Sequence, residues 1–507
     1  MSISKTYSAQ LSGLSAHIIT IEVDLSNGLH AFAVVGLGDK AIEESRDRIS
    51  AAIKNSGYVS PKQKNQKVVI SLAPADIRKE GPSFDLGMAL TYLLASGDID
   101  FDPKGKIFLG ELSLEGEVRK VSGVLPLTKG AYEAGFTEIF VPYENAEEAG
   151  LVKGISIYPV RTLDEVVEHL QEKKEVAQQP RTKIGNPIQV FKDDFKLIRG
   201  QEMAKRALEI AAAGGHNIGM YGPPGTGKTM LAKAFQTILP TLSYDEILEV
   251  TGIHSVARIL DKPFITLPPF RSPHHTASYA SLVGGGSFPK PGEITLAHRG
   301  VLFLDEFAEF DKKVIEALRQ PLEEHSVTIS RAKGTLNFPA QCIVIISMNP
   351  CPCGYGKEKG CTCSDRDIAN YKKKISGPII DRIDLWISVS KIEYEKLAHG
   401  SGNNEGSEAM RKRVALAQKV SRKRFEKFKV KGKKYNSEMN VSDIETCVDL
   451  ARDVKELLKT SAERLELSAR AYHRVIKLSQ TIADLEHSKE IKKSHVLEAL
   501  QYRQKNF

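Results

Sequence analysis

The sequence predicts an α/β protein built from three successive parts, and three features of its patterning lead to that prediction. Residues 1–170 mix short strand-like runs, such as KVVISLAP and EIFVP, with helical patterns, which favours an α+β domain. Residues 193–390 alternate apolar strands with helices, a pattern typical of a parallel sheet. Residues 391–507 are helical throughout, except for the stretch HGSGNNEGSE. The chain of 507 residues is long enough for each part to bury its own core.

The first part contains an amphipathic helix and is followed by a polar connection. The pattern DKAIEESRDRISAAIKNSG ends at Gly57 and places four apolar side chains on one face: Ala41, Ile42, Ile49 and Ile53. The later stretch QEKKEVAQQPRTKIGNP has two prolines and no apolar period. We therefore expect residues 171–192 to form a linker between the first and second parts.

The composition is ordinary for a globular protein, with 41% hydrophobic and 26% charged residues. No apolar run approaches the length of about eighteen residues that a membrane span needs. The start, MSISKTYSAQLSG, lacks the pattern of a signal peptide. We therefore expect a cytoplasmic protein that does not contact a membrane. In that reducing compartment, clustered cysteines are metal ligands or free thiols.

The net charge of +8 is concentrated in one segment. Between Arg411 and Lys434 there are twelve Lys or Arg residues and one acid, Glu426. Such a run forms either the solvated face of a helix or a contact with a polyanion, because clustered cations displace counterions from phosphates. The sequence leaves both interpretations open. The candidate nucleic-acid contacts in this run are Arg422, Lys423 and Arg424.

The string NIGMYGPPGTGKTMLAKAF contains the strongest functional motif. Residues 222–229 fit G-x-x-x-x-G-K-T, with an apolar strand before them and a helix after them. In this motif backbone N–H groups cradle phosphates, Lys228 adds a positive charge, and the Thr229 hydroxyl ligates magnesium. The sequence therefore predicts a nucleoside triphosphate and Mg²⁺ site formed by Gly222, Pro223, Pro224, Gly225, Thr226, Gly227, Lys228 and Thr229.

Two later apolar strands end in polar side chains. GVLFLDEF ends in Asp305 and Glu306, and CIVIISMNP contains Asn349 at its end. After a P-loop, the first carboxylate is expected to hold Mg²⁺ and the second to polarise the attacking water. Asn349 is expected to orient that water beside the γ-phosphate. The alternative for Asn349 is a turn-forming residue before Pro350.

This order of P-loop, Asp-Glu strand end and Asn strand end resembles an AAA+ ATPase. Longer strings narrow the resemblance to the ComM/YifB group of magnesium-chelatase-like AAA+ proteins: GQEMAKRALEIAAAGGHN, FRSPHHTAS, PKPGEITLAHRGVLFLDE, SMNPCPCG and ISGPIIDRIDL. The resemblance extends from near residue 1 to about residue 500. It implies ATP as the nucleotide, an AAA+ core at 193–390, a helical lid at 391–507, and assembly into a hexamer.

The resemblance also implies roles for three residues outside the P-loop. Arg382, in the string DRIDL, matches the arginine finger that reaches the γ-phosphate of a neighbouring subunit. Arg470, in SARAYHR, matches the sensor arginine of the lid, and Gln201 lies in the segment that lines the adenine pocket. From the residues alone, a surface salt bridge is the alternative for either arginine.

The string HSVTISRAKGTLNFPA predicts a β-hairpin with Arg331 and Lys333 at its tip. In the magnesium-chelatase and MCM-like branch of AAA+ proteins, which the chain resembles, a hairpin at this place points into the ring pore and commonly grips DNA. Two cations suit phosphate contacts, although an ordinary exposed turn is the alternative. The preceding insertion contains His274 and His275, whose adjacent side chains we expect to point apart.

The first part resembles the proteolytic domain of Lon in the strings KEGPSFDLGMAL and GELSLEGEVRKVSGVLPLTKGAYEAG. Ser83 takes the place of the nucleophilic serine, but Leu125 stands where the family has its lysine. Serine attack needs an adjacent base, and leucine is not one. Lys129, one helical turn away, is the remaining candidate base. We therefore expect a non-proteolytic Lon-like domain at 1–170.

Four of the six cysteines lie in the string CPCGYGKEKGCTC. Four thiolates satisfy tetrahedral zinc and leave no open position for chemistry. The spacing C-x-C is less specific than C-x₂-C, so free thiols are the alternative. The prediction is a structural zinc site formed by Cys351, Cys353, Cys361 and Cys363.

The resemblance implies a hexameric DNA motor that hydrolyses ATP. Such a motor acts on single-stranded or branched DNA and promotes branch migration during recombination and natural transformation, with recombination proteins as partners. Two alternatives stay open. One is a chelatase-like ATPase subunit for inserting a metal into a tetrapyrrole, although no acidic metal-binding domain is present in this sequence. The other is a protein-remodelling AAA+ ring.

Overall fold

The computed structural model describes residues 3–185, 192–286, 289–331, 334–356, 361–391 and 405–503, with the backbone alone at positions 331 and 334. Within these ranges, no helix has both the length and the apolar character that crossing a bilayer requires. The described residues divide into two compact units. One comprises residues 1–186 and 244–265, and the other comprises residues 187–243 and 266–507.

The strands of the described residues follow one another along the chain as β1 (Ser4–Ser12), β2 (Ser15–Asn27), β3 (Ala31–Val35), β4 (Gln66–Ala73), β5 (Lys106–Phe108), β6 (Glu111–Leu112), β7 (Val118–Arg119), β8 (Glu138–Pro142), β9 (Ser156–Val160), β10 (Ile218–Tyr221), β11 (Phe270–Arg271), β12 (Gly284–Gly285), β13 (Lys290–Pro291), β14 (Val301–Leu304), β15 (Ser326–Arg331), β16 (Gly334–Pro339), β17 (Ile343–Met348) and β18 (Leu385–Ser388).

The α-helices of the described residues are α1 (Lys40–Asn55), α2 (Asp85–Ser96), α3 (Val124–Glu133), α4 (Ala146–Ala149), α5 (Leu163–Leu170), α6 (Glu202–Gly214), α7 (Lys228–Ile238), α8 (Tyr244–Val256), α9 (Tyr279–Val283), α10 (Glu293–Leu296), α11 (Lys312–Ala317), α12 (Arg319–Glu324), α13 (Asp365–Lys373), α14 (Gly377–Ile380), α15 (Ser407–Lys427), α16 (Val441–Cys447), α17 (Arg452–Arg464), α18 (Ala469–Leu485) and α19 (Lys493–Gln501).

The first unit is an α+β structure with a mixed four-stranded sheet in the order β1-β2-β4-β3 and a parallel sheet in the order β5-β8-β9. Alternation along β2 buries Ile19, Ile21 and Val23 on the face that packs against helices. The predicted amphipathic helix is α1. It begins after Asp39, whose side chain accepts a hydrogen bond from the amide of Ile42.

The second unit contains a five-stranded sheet in the order β11-β14-β17-β10-β18, in which every pairing is parallel. The runs VLFL and IVIISM are buried along their whole length, as expected for strands covered on both faces. Helices α6 and α7 pack with α15 and α18 in the same core. The predicted fold class is therefore confirmed: a parallel-sheet core is combined with a helical C-terminal region, and an α+β unit precedes them.

The division of the chain differs from the prediction in two places. Residues 171–185 belong to the first unit, where the amide of Gln179 donates to the carbonyl of Ile157 (2.8 Å) and that of Thr182 to Gly150 (3.0 Å). A segment without an apolar period therefore adds backbone pairing that composition does not reveal. The second difference is α8, which the sequence assigns to the core at 193–390 but which packs in the first unit.

Helix α8 joins the first unit through a buried polar cluster. The hydroxyl of Ser255 accepts a hydrogen bond from the amide of Gly123 (2.9 Å) and donates to Oε1 of Glu148 (2.5 Å). The same carboxylate accepts from the amide of Leu125 (2.9 Å). Burial raises the pKa of Glu148, although these donors partly oppose the rise. The cluster thus links amides at the start of α3 to the Glu148 carboxylate on α4 and the Ser255 hydroxyl on α8.

We expect Ser255→Ala to destabilise the first unit, because it leaves the Gly123 amide and one Glu148 oxygen buried with a partner lost. The free energy of unfolding should fall by about 1–3 kcal/mol. Urea denaturation followed by circular dichroism measures this change, with Ser15→Ala as the control because Ser15 is exposed on β2. Equal stability of the two variants would contradict the role of the cluster.

Candidate active site

The P-loop follows the carboxyl end of β10, the strand between β17 and β18. A side chain at Gly222 would meet the carbonyl oxygen of Val389 at 2.1 Å, so the loop begins in tight contact with the chain beyond β18. Gly225 and Gly227 have φ values of +75° and +89°, which L side chains rarely adopt. Glycine is therefore required at three points of the motif, once because of a close contact and twice because of the backbone conformation.

Lys228 is the first residue of α7, and its ammonium group turns back into the loop. It donates to the carbonyl oxygens of Gly222 (2.7 Å) and Pro223 (2.8 Å) and to Oδ1 of Asn349 (3.3 Å). Burial lowers the pKa of Lys228, while Asp305 and Glu306 oppose the change. The structure thus brings the P-loop lysine and Asn349 together at one edge of the sheet.

Thr229 and Asp305 meet at the same edge. The Thr229 hydroxyl donates to Oδ2 of Asp305 at 2.7 Å, although the two residues are 76 positions apart. A hydroxyl and a carboxylate side by side are the oxygen ligands that Mg²⁺ prefers, together with phosphate oxygens and water. These two side chains fit the ion that a P-loop implies.

Glu306 has an unusual backbone and an unexpected neighbour. Its φ of 51° is in the left-handed region, which costs a non-glycine residue roughly 1–2 kcal/mol. This conformation brings its carboxylate to Nδ1 of His275, 3.1 Å away. The histidine rings of residues 274 and 275 lie 4.2 Å apart, so the expectation that they point apart is wrong. They follow β11 in a loop, where the alternation of a regular strand does not apply.

Gln201 lies next to the segment that follows β18, the strand that neighbours β10. It caps α6 in a left-handed conformation, with φ of 59°, and its side-chain amide donates to the carbonyl oxygen of Ser390 at 2.7 Å. Ser390 follows β18, whose carboxyl end adjoins the P-loop strand. Gln201 is therefore near the nucleotide motif, at the edge where the sequence predicts an adenine pocket.

Arg382 and Arg470 lie at the opposite edge of the sheet. Both pair with Oε1 of Glu323, at 2.6 Å and 2.7 Å respectively. They line a cavity of about 530 Å³ together with residues that precede the strands, including Asn217 before β10 and Asp384 before β18. The P-loop lies at the other ends of these strands, after β10. The structure therefore separates the two arginines from the P-loop of their own chain.

The basic run has a mixed outcome. Arg422 and Lys423 are exposed on α15. Arg424 was predicted as a nucleic-acid contact, but its guanidinium forms an ion pair with buried Asp484 and its side chain is only 13% exposed. Arg413 is likewise engaged with Glu209. The prediction for Arg424 needs correction, because part of the run is internal charge pairing that a count of basic residues cannot reveal.

The predicted hairpin is present as β15 and β16, which form a separate antiparallel sheet of two strands. Arg331 pairs with Gly334 at the end of that ladder. Lys333 lies outside the described residues, as does the side chain of Arg331.

The four cysteines converge in the described structure. Their sulfur atoms all lie within 4.8 Å of one another, and the sulfur of Cys361 is 3.8 Å from that of Cys351 and 3.6 Å from that of Cys353. Tetrahedral zinc with bonds of about 2.3 Å separates its sulfur ligands by about 3.8 Å. The sulfur positions therefore fit a zinc ion. The loop also passes the P-loop, because a side chain at Gly354 would lie 3.0 Å from Pro224.

Comparison with known proteins identifies the family. The family described as "Magnesium chelatase, subunit ChlI" matches residues 194–397, and its C-terminal counterpart matches residues 404–503. The family described as "Subunit ChlI of Mg-chelatase" matches residues 21–145. The competence protein ComM of Haemophilus influenzae is 39% identical over 99% of this chain and 98% of its own. The uncharacterized protein YifB of Escherichia coli is 37% identical over 99% of this chain and 97% of its own.

The chain belongs to the ComM/YifB group of magnesium-chelatase-like AAA+ proteins. Membership implies an ATPase that uses ATP and Mg²⁺. Within this ComM-like protein, the P-loop, the Asp305–Thr229 pair and Asn349 form one candidate active site on the carboxyl edge of the sheet.

The Lon-like character of the first unit has its own support. Lon protease 2 of Bacillus subtilis is 34% identical over 109 residues, which cover 21% of this chain and 19% of that protein. In the ComM-like protein, Leu125 is buried at the start of α3 and Lys129 pairs with Glu133 at 3.8 Å on an exposed surface. The candidate base is thus directed to a glutamate on the solvent side.

Sequence reasoning missed the contact of His275 with Glu306 and the contacts of Glu323 with the two arginines. His275 follows β11, which pairs in parallel with β14, the strand that leads to Glu306. Carboxyl ends of parallel strands meet at one edge, so a polar residue after β11 is a natural neighbour of Glu306. β11 has only two residues, too few to give a periodic signal. Glu323 lies on a short helix, and nothing in its local sequence indicates the two arginines.

We expect Gly222→Ala to reduce ATP binding at least tenfold, because the new methyl group collides with the Val389 carbonyl and displaces the P-loop. Gly377→Ala is the matched control, since a side chain there meets nothing within 4 Å. Fluorescence titration with a labelled ATP analogue and Mg²⁺ measures the affinity. Unchanged affinity of the Gly222 variant would show that the loop tolerates the displacement.

Proposed function

We propose that the chain is a subunit of a hexameric, cytoplasmic ATPase ring that moves on single-stranded or branched DNA and promotes branch migration during recombination. The observation that carries the proposal is the separation of the catalytic groups over two edges of one sheet. A P-loop at one edge and two arginines at the other complete a site only when subunits stand side by side.

The carboxyl edge supplies the groups for hydrolysis. Lys228 exchanges its two carbonyl partners for phosphate oxygens, which satisfy the same donors. Thr229 and Asp305 would hold Mg²⁺, which would supply positive charge to neutralise the phosphates. Glu306 acts as general base toward the attacking water, and Asn349 orients that water through the amide that now meets Lys228.

Arg382 and Arg470 act on the nucleotide of the neighbouring subunit. In this chain both guanidinium groups lie beyond the amino ends of the strands, and Arg470 extends from the first turn of α18. Guanidinium groups stabilise the charge that develops on a transferred phosphoryl group. In a ring, the neighbouring subunit supplies each nucleotide site with these two arginines, so turnover depends on assembly.

The β15–β16 hairpin is the proposed DNA contact. It stands apart from the five-stranded sheet and precedes β17, the strand that ends at Asn349. Arg331 and Lys333, with exposed Arg422 and Lys423, offer cations to phosphates without reading sequence. The Haemophilus influenzae relative is named a competence protein, which supports a role in natural transformation with recombination proteins as partners.

A chelatase-like function is the second candidate, because the matching families are described by a magnesium chelatase subunit. In that case turnover would respond to partner subunits and not to DNA. A protein-remodelling ring would respond to unfolded protein instead. The same turnover assay distinguishes these three functions.

The four-cysteine cluster is proposed to hold structural zinc. The sulfur positions, the set of four thiols and the approach of the loop to Pro224 support a zinc-bound loop beside the P-loop, called the clasp below. The clasp spans the region between Asn349 and α13, so its loss should disturb the water-orienting amide.

We expect ATP turnover by the full chain to rise when single-stranded or forked DNA is added. Glu306→Gln should lower turnover by at least a hundredfold while ATP binding persists, because general-base catalysis contributes about 10²–10⁴-fold. Phosphate release measures turnover, and Glu309→Gln is the control because its carboxylate pairs with Lys374 at the surface.

DNA that neither binds the ATP-loaded protein nor alters turnover would contradict the motor. Full activity of the Glu306 variant would contradict its role as base.

We expect one zinc ion per chain in purified protein and its loss in a Cys351→Ser, Cys361→Ser variant. Two thiolates cannot hold the ion as four do, and the P-loop should then bind ATP more weakly. Inductively coupled plasma mass spectrometry measures the metal, with Cys447→Ser as the control outside the cluster. Metal-free wild-type protein would refute the clasp but leave the motor proposal intact.

A further inference from the structure

Glu323 is the carboxylate on which both proposed trans-acting arginines converge. Its Oε1 atom receives Nη2 of Arg382 at 2.6 Å and Nη1 of Arg470 at 2.7 Å. The arginines come from different elements, one following α14 and the other in the first turn of α18. A single anionic oxygen therefore holds together two cations that would otherwise repel each other.

A second carboxylate that lines the cavity, Asp384, pairs with other groups. Within the described residues, Asp384 is fully committed to a different set: Arg474 (3.3 Å), His216 (3.4 Å) and the amide of Asn217 (3.2 Å). Burial opposes the charge of Asp384, but Arg474, His216 and Lys477 nevertheless hold its pKa well below the usual value.

The cavity beside the arginine pair retains unmet hydrogen-bonding capacity. It has a volume of about 530 Å³. The Nε atom of Arg382 and Nδ1 of His473 are both buried and have no hydrogen-bond partner in the described part of the chain. Buried polar atoms of this kind cost stability unless a ligand satisfies them. Glu323 thus fills only part of an anion site that has room and a guanidinium N–H left.

Glu323 also belongs to the base of the hairpin. It lies in the last turn of α12, and β15 begins three residues later. The side chain of Gln320 donates to the hydroxyl of Thr328 (2.9 Å) and accepts from its amide (3.3 Å), and the amide of Ala340 donates to the carbonyl of His325 (2.8 Å). Helix α12 and the hairpin base are therefore hydrogen-bonded to each other, whereas Arg382 and Arg470 are on other elements.

We propose that Glu323 is a positioning residue. In the resting subunit its carboxylate occupies the position at which Arg382 and Arg470 would bind the γ-phosphate of the neighbouring subunit's nucleotide. When DNA displaces the hairpin, Glu323 moves away from the two arginines. This inference rests on the proposed function. A γ-phosphate carries more charge and more acceptor oxygens than one carboxylate, so the freed arginines turn to it. Occupancy of the pore is thereby converted into completion of the neighbouring active site.

The test compares steady-state ATP turnover of full-length Glu323→Gln and wild-type protein, with and without a single-stranded DNA oligonucleotide. Glutamine keeps the shape but not the charge, so the hold on both arginines weakens. DNA-free turnover should rise severalfold toward the DNA-stimulated wild-type rate, and the stimulation ratio should fall toward one. The rise should appear in kcat, because guanidinium groups stabilise the charge that develops on the transferred phosphoryl group.

Glu316→Gln is the matched control, since it removes the same charge from the neighbouring helix, where Glu316 pairs with Arg319 at 2.6 Å. Gln320→Ala isolates the coupling step: it cuts the hydrogen bonds between α12 and the hairpin and leaves Glu323 in place. Its DNA-free rate should stay below that of Glu323→Gln, and its response to DNA should weaken. Thermal unfolding of every variant reports whether it is folded.

The outcomes separate this inference from the motor proposal. If DNA does not change wild-type turnover, the motor proposal is wrong. In that case, a rise in DNA-free turnover of Glu323→Gln, and of no other variant, would still support the resting contact of Glu323 with the two arginines. If wild type responds to DNA and folded Glu323→Gln has the same basal rate and the same stimulation, the inference is wrong. A similar rise in Glu316→Gln, or a loss of turnover without a change in the stimulation ratio, overturns it as well.

Discussion

The short parallel strand β10 is the constraint on which the rest of the ATPase unit depends. Four residues, Ile218–Tyr221, carry the chain from one edge of the sheet to the other, a span of roughly 13 Å. The P-loop begins where the strand ends, and the arginine cavity begins where it starts. Every strand of this sheet runs in the same direction, so the strand ends lie at the edge that carries the nucleotide motif and the strand starts lie at the edge that carries the arginines.

Charge at the two edges is managed in different ways. At the carboxyl edge, Lys228 has no ion pair in the described structure and turns to backbone carbonyls, which a phosphate readily replaces. At the amino edge, Arg474 is neutralised by buried Asp384, which also fixes Asn217 before β10. The Arg474–Asp384 pair has a structural role, because both side chains are buried. Glu323 is 40% exposed and lies at the edge of the same cluster, where water weakens the ion pairs that hold its carboxylate.

Local sequence patterns place the side chains at the carboxyl edge of this site, whereas nothing in the sequence predicted that Glu323 pairs with Arg382 and Arg470 at the amino edge. A P-loop, an Asp-Glu strand end and an Asn strand end each lie within a few residues of an apolar run, so local pattern suffices to place them. Arg382, Arg470 and Glu323 meet from three separate elements, and α12 is only six residues long. Their contact depends on tertiary packing that has no period or motif. The same reason explains the error at Arg424, whose partner Asp484 lies sixty residues away.

The boundaries of the first unit were hidden for a related reason. Helix α8 looks like part of the ATPase because it follows α7 in the chain, yet its buried side chains, among them Ile247, Val250 and Ile253, belong to the unit that contains Ser83. The chain passes between the two units between residues 185 and 192, and again at residues 243–244 and 265–266. The Lon-like unit is therefore joined to the ATPase unit by more than one connection, because a helix from the segment after the P-loop belongs to it. A fold assembled in this way ties the two units together by chain connectivity itself.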